Sequence, residues 1–206
     1  GIAMERYSGW LRGLDRQRVH FQVSLDGLEQ TSDRLRGEGS FRKVTSNTLM
    51  LSAEGFAVTL AMAVTRQNVK QMGEFTELAR SLGVGNVHFM WLFRKGNEQG
   101  DEIVEADEIA RRLIEAQQKA AAAGVLIDNI EIIKSQVFSL PGTKYDLNNA
   151  GWQSLAVGPD GTVYPSPALV AEEKLAAGNI SEGLKAVWRK SNLLKRLRGS
   201  SVVQSA

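Results

Sequence analysis

The 206-residue chain contains no cysteine. That excludes disulfides, thiolate-bound zinc and a thiolate-bound iron–sulfur cluster on these residues. Only two histidines are present, His20 and His88. They are too few for a histidine-based metal site, and both sit beside strand-like runs, where a structural role is expected. No apolar run approaches the roughly 20 residues a membrane span needs. Gly1 to Trp10 carries Glu5 and Arg6 and no apolar core of a signal peptide, so a cytoplasmic location is the default expectation. Net charge is +2, too small to imply nucleic acid as a partner. The basic excess is local: Lys185, Arg189, Lys190, Lys195, Arg196 and Arg198 crowd one late segment. It reads as the solvated face of a terminal helix, ahead of a phosphate-binding patch. No glycine-rich phosphate loop follows any predicted strand, and Gly37-Glu38-Gly39 is too short to cradle a pyrophosphate.

What is present is an ordinary globular mixture, 43% hydrophobic and 23% charged. Its length allows one domain, or a domain with an appendage. A first helix is expected over Met4 to Leu14. Val19 to Leu25 is rich in β-branched and aromatic residues and ends at the turn pair Asp26-Gly27, so it predicts a strand. Ser40 to Glu54 predicts a helix, capped by Ser40 and stopped by Gly55. Phe56 to Val64 is almost continuously apolar, as a parallel strand buried on both faces would be. Asn68 to Leu82 has apolar residues at helical spacing, and Asn86 to Phe93 reads as a third strand. A long helix follows over Glu105 to Ala123, favoured by its alanines.

Three strands alternating with helices predict an α/β fold with a parallel sheet. Near Leu126 the pattern changes. Ile127 to Phe138 alternates in part, like a strand, and Ser139-Leu-Pro-Gly142 is a break. Trp152 to Val157, Gly158-Pro-Asp-Gly161 and Thr162 to Tyr164 predict a β-hairpin. Gly183 to Leu197 predicts a helix capped near Ser181. The expected division is therefore residues 1–125 and 126–206. Three parallel strands cannot close a barrel and leave open edges. Either further strands lie outside this chain, as a missing amino-terminal half-barrel, or two copies pair. Gly1-Ile-Ala-Met4 reads like a loop just after a strand and favours the first.

Phe21 to Gly37 (FQVSLDGLEQTSDRLRG), followed by Gly39-Ser40-Phe41, resembles the fourth βα unit of radical S-adenosylmethionine enzymes. That unit ends its strand in S-L-D-G and continues through H-D-x-x-R-G to G-S-F; Ser32 stands at the histidine. The next units resemble the family too, through Val64-Thr65-Arg66-Gln67-Asn68 and through Leu82-Gly83-Val84 leading into Val87 to Leu92. In the tail, Ala150-Gly151, Leu155 to Pro165 (LAVGPDGTVYP) and Gly178-Asn179-Ile180 resemble the SPASM extension. The lone S-L-D-G is weak; both blocks at this spacing are specific. The resemblance implies the second half of a partial (β/α) barrel, then a small α+β extension.

It further implies a 4Fe-4S cluster that reductively cleaves S-adenosylmethionine, with a peptide or protein as substrate. No catalytic residue is assigned. Ser24, at a strand end, would bond the cosubstrate's polar groups or satisfy local backbone. Asp26 would be a ligand or, more in keeping with its turn, a turn-former. Arg36 would face the methionine carboxylate; its ordinary alternative is a surface pair with Glu38. Asn68 would face the cosubstrate or cap the next helix. Leu92 would pack on adenine or simply be barrel core, and Trp91 reads as core ahead of cavity wall. The departures matter equally. The segment that carries the family's CxxxCxxC loop is absent. Asn148 and Ser166 occupy positions where SPASM domains have cysteine, and Ser205 stands where a further cysteine-rich stretch would start. Pro167 replaces the aspartate of sulfatase-maturing relatives. The chain alone is therefore expected to be inactive in radical chemistry. A cluster-free, non-catalytic scaffold that grips a peptide or protein is the other reading.

Overall fold

The computed structural model describes residues 8–11, 13–92, 102–137 and 149–200, with side chains throughout except at 8 and 135–137. The expected features at Gly1-Ile-Ala-Met4, Phe93, Ser139 to Gly142, Asn148 and Ser205 lie outside the described residues. Two compact units form, residues 1–130 and 131–206.

The first unit opens with helix α1 (Ser8–Leu11). It then builds β1 (His20–Ser24), α2 (Glu29–Arg36), α3 (Ser40–Ala53), β2 (Ala57–Val64), α4 (Met72–Ser81), β3 (Asn86–Trp91), α5 (Ala106–Ala123) and β4 (Leu126–Ile127). The sheet is parallel, in the order β1-β2-β3-β4. Alternation along each strand separates two faces. Val23, Val58, Leu60, Met62, Val64, Val87 and Phe89 form one apolar core with Val44 and Leu51 of α3, Phe75 and Ala79 of α4, and Ala116 and Ala120 of α5. Burying a Leu or Phe side chain is worth about 1.5–3 kcal/mol, so this face fixes the register of the strands. The opposite face carries His20, Gln22, Ser24, Thr59, Ala61, Asn86 and His88. It is polar and tied by side-chain bonds: His20 Nε2 to Thr59 Oγ1 at 2.8 Å, Asn86 Nδ2 to Thr59 Oγ1 at 2.8 Å, and His88 Nδ1 to Asp128 Oδ1 at 2.7 Å.

The sheet has a fourth strand where the sequence predicts three. It is short, and where a strand from Ile127 to Phe138 is expected the chain turns into helix α6 (Asp128–Val137). The cause is local. Leu126 and Ile127 pair with Asn86 and Val87. The Asn129 side chain then takes over the ladder: Oδ1 accepts from Phe89 N and Nδ2 donates to Phe89 O, both at 2.8 Å. With the edge of β3 satisfied by an amide side chain, the backbone beyond is free to coil.

Gly27 closes the turn after β1 with φ at +114°, and an added Cβ would lie 2.5 Å from Gln71 Oε1. That oxygen accepts from Leu28 N at 2.9 Å, while Gln71 Nε2 donates to Thr31 Oγ1 at 2.8 Å. The close approach ties the β1 turn to the segment after β2.

The second unit holds β5 (Ala156–Val157), β6 (Thr162–Tyr164) and β7 (Gly178–Asn179), antiparallel in that order. Helices α7 (Leu184–Lys190) and α8 (Asn192–Gly199) follow. The single helix expected over Gly183 to Leu197 is thus broken at Ser191, whose backbone is extended at ψ 122° and whose Oγ accepts from Leu194 N. A capping serine starts a new helix there. The start of the region is held by a capping box, Asn179 with Glu182, rather than by Ser181. Val163, Ala177, Val187 and Leu194 form the core. Arg198 stacks on Trp188 at 4.8 Å and donates to Gly151 O and Trp188 O.

Candidate functional site

A cleft of about 290 Å³ opens where β2 and β3 end, lined by Asp26, Leu35, Arg36, Ala63, Thr65, Gln67, Leu92 and Glu102. Parallel α/β folds bind ligands at the carboxyl ends of their strands, because the turns there are free to carry varied side chains.

Asp26 follows β1. Its side chain is 7% exposed, and its Oδ2 accepts from Arg36 Nε at 2.5 Å. Oδ1 accepts from Ala63 N at 3.4 Å. Asp26 is therefore no mere turn-former: its carboxylate holds Arg36 and steadies the end of β2. The partner of Arg36 is Asp26, where the sequence offered Glu38. The Arg36 side chain is 60% exposed, and its Nε is the nitrogen engaged with Asp26. The guanidinium fork thus stands at the cleft with its orientation set from behind.

Asn68 does not line the cleft and does not cap the next helix with its side chain. It is fully buried. Its Oδ1 accepts from Thr65 N at 2.8 Å, and its Nδ2 donates to Ala63 O at 2.8 Å and Asp26 O at 3.3 Å. Both donors and an acceptor are spent on backbone as the chain turns after β2, where buried backbone groups need partners. Ser24 ends β1 on the polar sheet face and stands in register with Ala61, which is in register with His88. It too lies outside the cleft lining. Leu92, half-buried, forms part of the apolar wall with Leu35 and Ala63.

Thr65, Gln67 and Glu102 also line the cleft. The first two belong to the quoted V-T-R-Q-N run. Glu102 lay in no motif. It is brought in by long-range bonds: Arg66 N donates to Glu102 O at 3.1 Å, Arg66 Nε to Ile103 O at 2.9 Å, and Gln67 Nε2 to Glu102 Oε1 at 2.5 Å.

Parallel βα units with a cleft at the strand ends, followed by an antiparallel hairpin unit, define a class, and sequence comparison agrees with it. The chain is similar to radical S-adenosylmethionine enzymes that carry a SPASM-type extension. The family model described as SPASM, iron-sulfur cluster-binding domain, matches residues 149–205. The mycofactocin maturase MftC of Mycolicibacterium smegmatis is 30% identical over 186 residues, covering 87% of this chain and 47% of that protein. The subtilosin biosynthesis protein AlbA of Bacillus subtilis is 27% identical, covering 87% and 39%. The PqqA peptide cyclase of Gluconobacter oxydans is 26% identical, covering 92% and 54%. The chain spans about half the length of these relatives. Among solved structures, Streptococcus suis SuiB bound to S-adenosylmethionine superposes with a TM-score of 0.66 at 10% identity, covering 91% of this chain and 46% of that one. Native anSMEcpe with bound AdoMet and a peptide gives 0.64 at 13% identity, covering 91% and 55%. At these identities the likeness is one of fold.

Two fits to cofactors differ. The cleft offers a cationic fork, an apolar wall and a carboxylate, a donor set that suits a zwitterionic nucleoside. The extension offers no thiolate, since the chain has no cysteine. Ser166 is half-buried beside Pro167, and among the described residues no group of three His, Asp or Glu side chains could hold a metal. A thiolate-ligated cluster does not fit these residues. Among the described residues no helix is long and apolar enough to cross a membrane.

Proposed function

We propose that this chain supplies the cosubstrate wall and the substrate-side extension of a radical S-adenosylmethionine enzyme acting on a peptide or protein. When bound, S-adenosylmethionine supplies a deoxyadenosyl radical that abstracts a substrate hydrogen, with its 4Fe-4S cluster ligated outside this chain. Arg36 binds the methionine carboxylate through the edge of its guanidinium not occupied by Asp26, a charge-assisted and planar match. Asp26 sets the direction of that fork. Leu92, Leu35 and Ala63 give adenine an apolar wall and exclude water. Ser24 adds a hydroxyl at the end of β1. Asn68 acts indirectly, by pinning the carbonyls of Asp26 and Ala63.

The observation that carries this reading is the Asp26–Arg36 pair at a strand-end cleft, in a chain similar to peptide maturases over 87% of its length. Residues 1–125 are read as the second half of the barrel and 126–206 as the extension. The other strands come from an amino-terminal half-barrel or from a second copy, and the protein works in the cytoplasm. Equilibrium binding of S-adenosylmethionine to the full gene product tests the reading. Arg36→Ala should weaken it about tenfold or more, as loss of a charge-assisted hydrogen bond does. Unchanged affinity overturns it.

A second reading rests on one observation, the absence of cysteine from a matched cluster-binding domain. In it the chain is a cluster-free, non-catalytic scaffold that grips a peptide. Iron-free protein that binds a peptide and no S-adenosylmethionine would establish it.

A further inference from the structure

Among the described residues, one buried side-chain polar atom has no hydrogen-bond partner: Oε2 of Glu102. It belongs to a residue that lines the cleft. Its neighbour on the same carboxylate, Oε1, is held at 2.5 Å by Gln67 Nε2. The backbone on either side is fixed by Arg66, through its N to Glu102 O and its Nε to Ile103 O. The carboxylate thus hangs from a backbone that Arg66 fixes, is held at one oxygen by Gln67, and is left with the other oxygen unpartnered. A buried acceptor without a donor costs about 1–3 kcal/mol, and more when charged. Such a cost persists where a ligand removes it.

The two carboxylates of the cleft are unequal. Asp26 is matched by Arg36; Glu102 is matched only at one oxygen, by a neutral amide. Arg36 already answers the anionic end of a zwitterion. What Glu102 lacks is a donor. A buried ion pair with an ammonium would have to strip water from a strongly hydrated cation, which low-dielectric surroundings repay poorly. A neutral hydroxyl costs far less to desolvate. Carboxylates hold ribose hydroxyls in dinucleotide-binding folds for this reason. Glu102 also shares its cleft with Leu92 and Arg36, the groups read as contacting adenine and the methionine carboxylate. Ribose joins those two ends of the cosubstrate.

We infer that Glu102 Oε2 accepts a hydrogen bond from a ribose hydroxyl of the nucleoside cosubstrate, and that Gln67 positions it. The assignment rests on the S-adenosylmethionine reading above. It adds a binding residue that no motif marks.

The test is calorimetric binding to the full gene product, with S-adenosylhomocysteine and its 2′,3′-dideoxy analogue as probes, so that no turnover is needed. Glu102→Gln should lose about tenfold or more in affinity for S-adenosylhomocysteine, the scale of a hydrogen bond to a charged group. The dideoxy analogue should bind wild type correspondingly weakly, and Glu102→Gln should weaken it no further. Gln67→Leu should show the same pattern in smaller measure, which keeps the test open if the first variant folds poorly. Wild-type affinity in Glu102→Gln, or losses that simply add, overturns the Glu102 assignment and leaves the cosubstrate reading standing. A wild-type protein that binds no S-adenosylhomocysteine overturns both.

Discussion

Arg36 Nε lies 2.5 Å from Asp26 Oδ2, ten residues earlier in the chain, joining a buried carboxylate to a largely exposed guanidinium. A long side chain at a cleft mouth would otherwise sample many rotamers, and immobilising one such side chain on binding costs about 0.5–1.5 kcal/mol. Asp26→Asn should therefore weaken S-adenosylmethionine binding severalfold, although the substituted side chain itself would touch no ligand. Arg36→Lys should not rescue Arg36→Ala, because a point charge cannot serve Asp26 and a carboxylate together. Titration calorimetry of the three variants reads both outcomes.

Asn68 satisfies three backbone groups at once. Asn68→Ala should cost about 2–3 kcal/mol, since each stranded buried group carries a desolvation penalty. Asn68→Asp should cost at least as much, because a carboxylate would face the carbonyls of Ala63 and Asp26. Urea midpoints compared at equal slope check this.

In the extension, Arg198 joins Trp188 to Gly151. It stacks on Trp188 and donates to two carbonyls. Arg198→Leu should lower the stability of this unit by about 1–3 kcal/mol, from the lost stacking and bonds. Iron chelators should leave its unfolding curve unchanged. Tryptophan fluorescence during denaturation follows both, and a chelator-sensitive transition would sink the idea of an iron-independent unit.

Asp33 joins the end of α2 to the start of α3. Its carboxylate accepts from Phe41 N at 2.8 Å, Gly39 N at 2.9 Å and Ser40 Oγ at 3.1 Å. The Phe41 and Gly39 amides hold it below its ordinary value of 3.8. A carboxylate depressed on folding adds stability above its unfolded value and loses it as pH falls through the lower folded one. The wild type should lose stability as pH drops below about 4, and Asp33→Asn should flatten that loss while lowering stability at neutral pH. Thermal melts from pH 7 to 3 separate the two.

Much of the fold was legible because local physics agreed with it. Phe56 to Val64 is apolar enough to be a central strand, and Gly55, Gly83 and Gly124 stop helices where the chain must turn. The S-L-D-G and P-D-G-T-V-Y-P runs marked both units. Three features escaped. Partial alternation after Ile127 looked like a strand; a helix forms there, and the Asn129 amide in its first turn bonds Phe89 forty residues away. Ser191 broke a helix that periodicity would have carried through. Asn68 looked like a cap and serves the backbone of two other segments.

The candidate site divides the same way. Arg36 was visible as a residue, because it stands in the R-G pair of the motif that carries the resemblance. Asp26 was visible as a turn residue, while its partner Arg36 could not be known without the pairing of turn and helix. Glu102 was invisible, as nothing near it in sequence announces a ligand. By itself the sequence determined the alternation of strands and helices and the lack of any thiolate, because these follow from composition and short-range pattern. Only the tertiary structure decided which carboxylate meets Arg36 and which oxygen goes without a donor. Those are matters of a few ångströms between segments that local forces do not bring together.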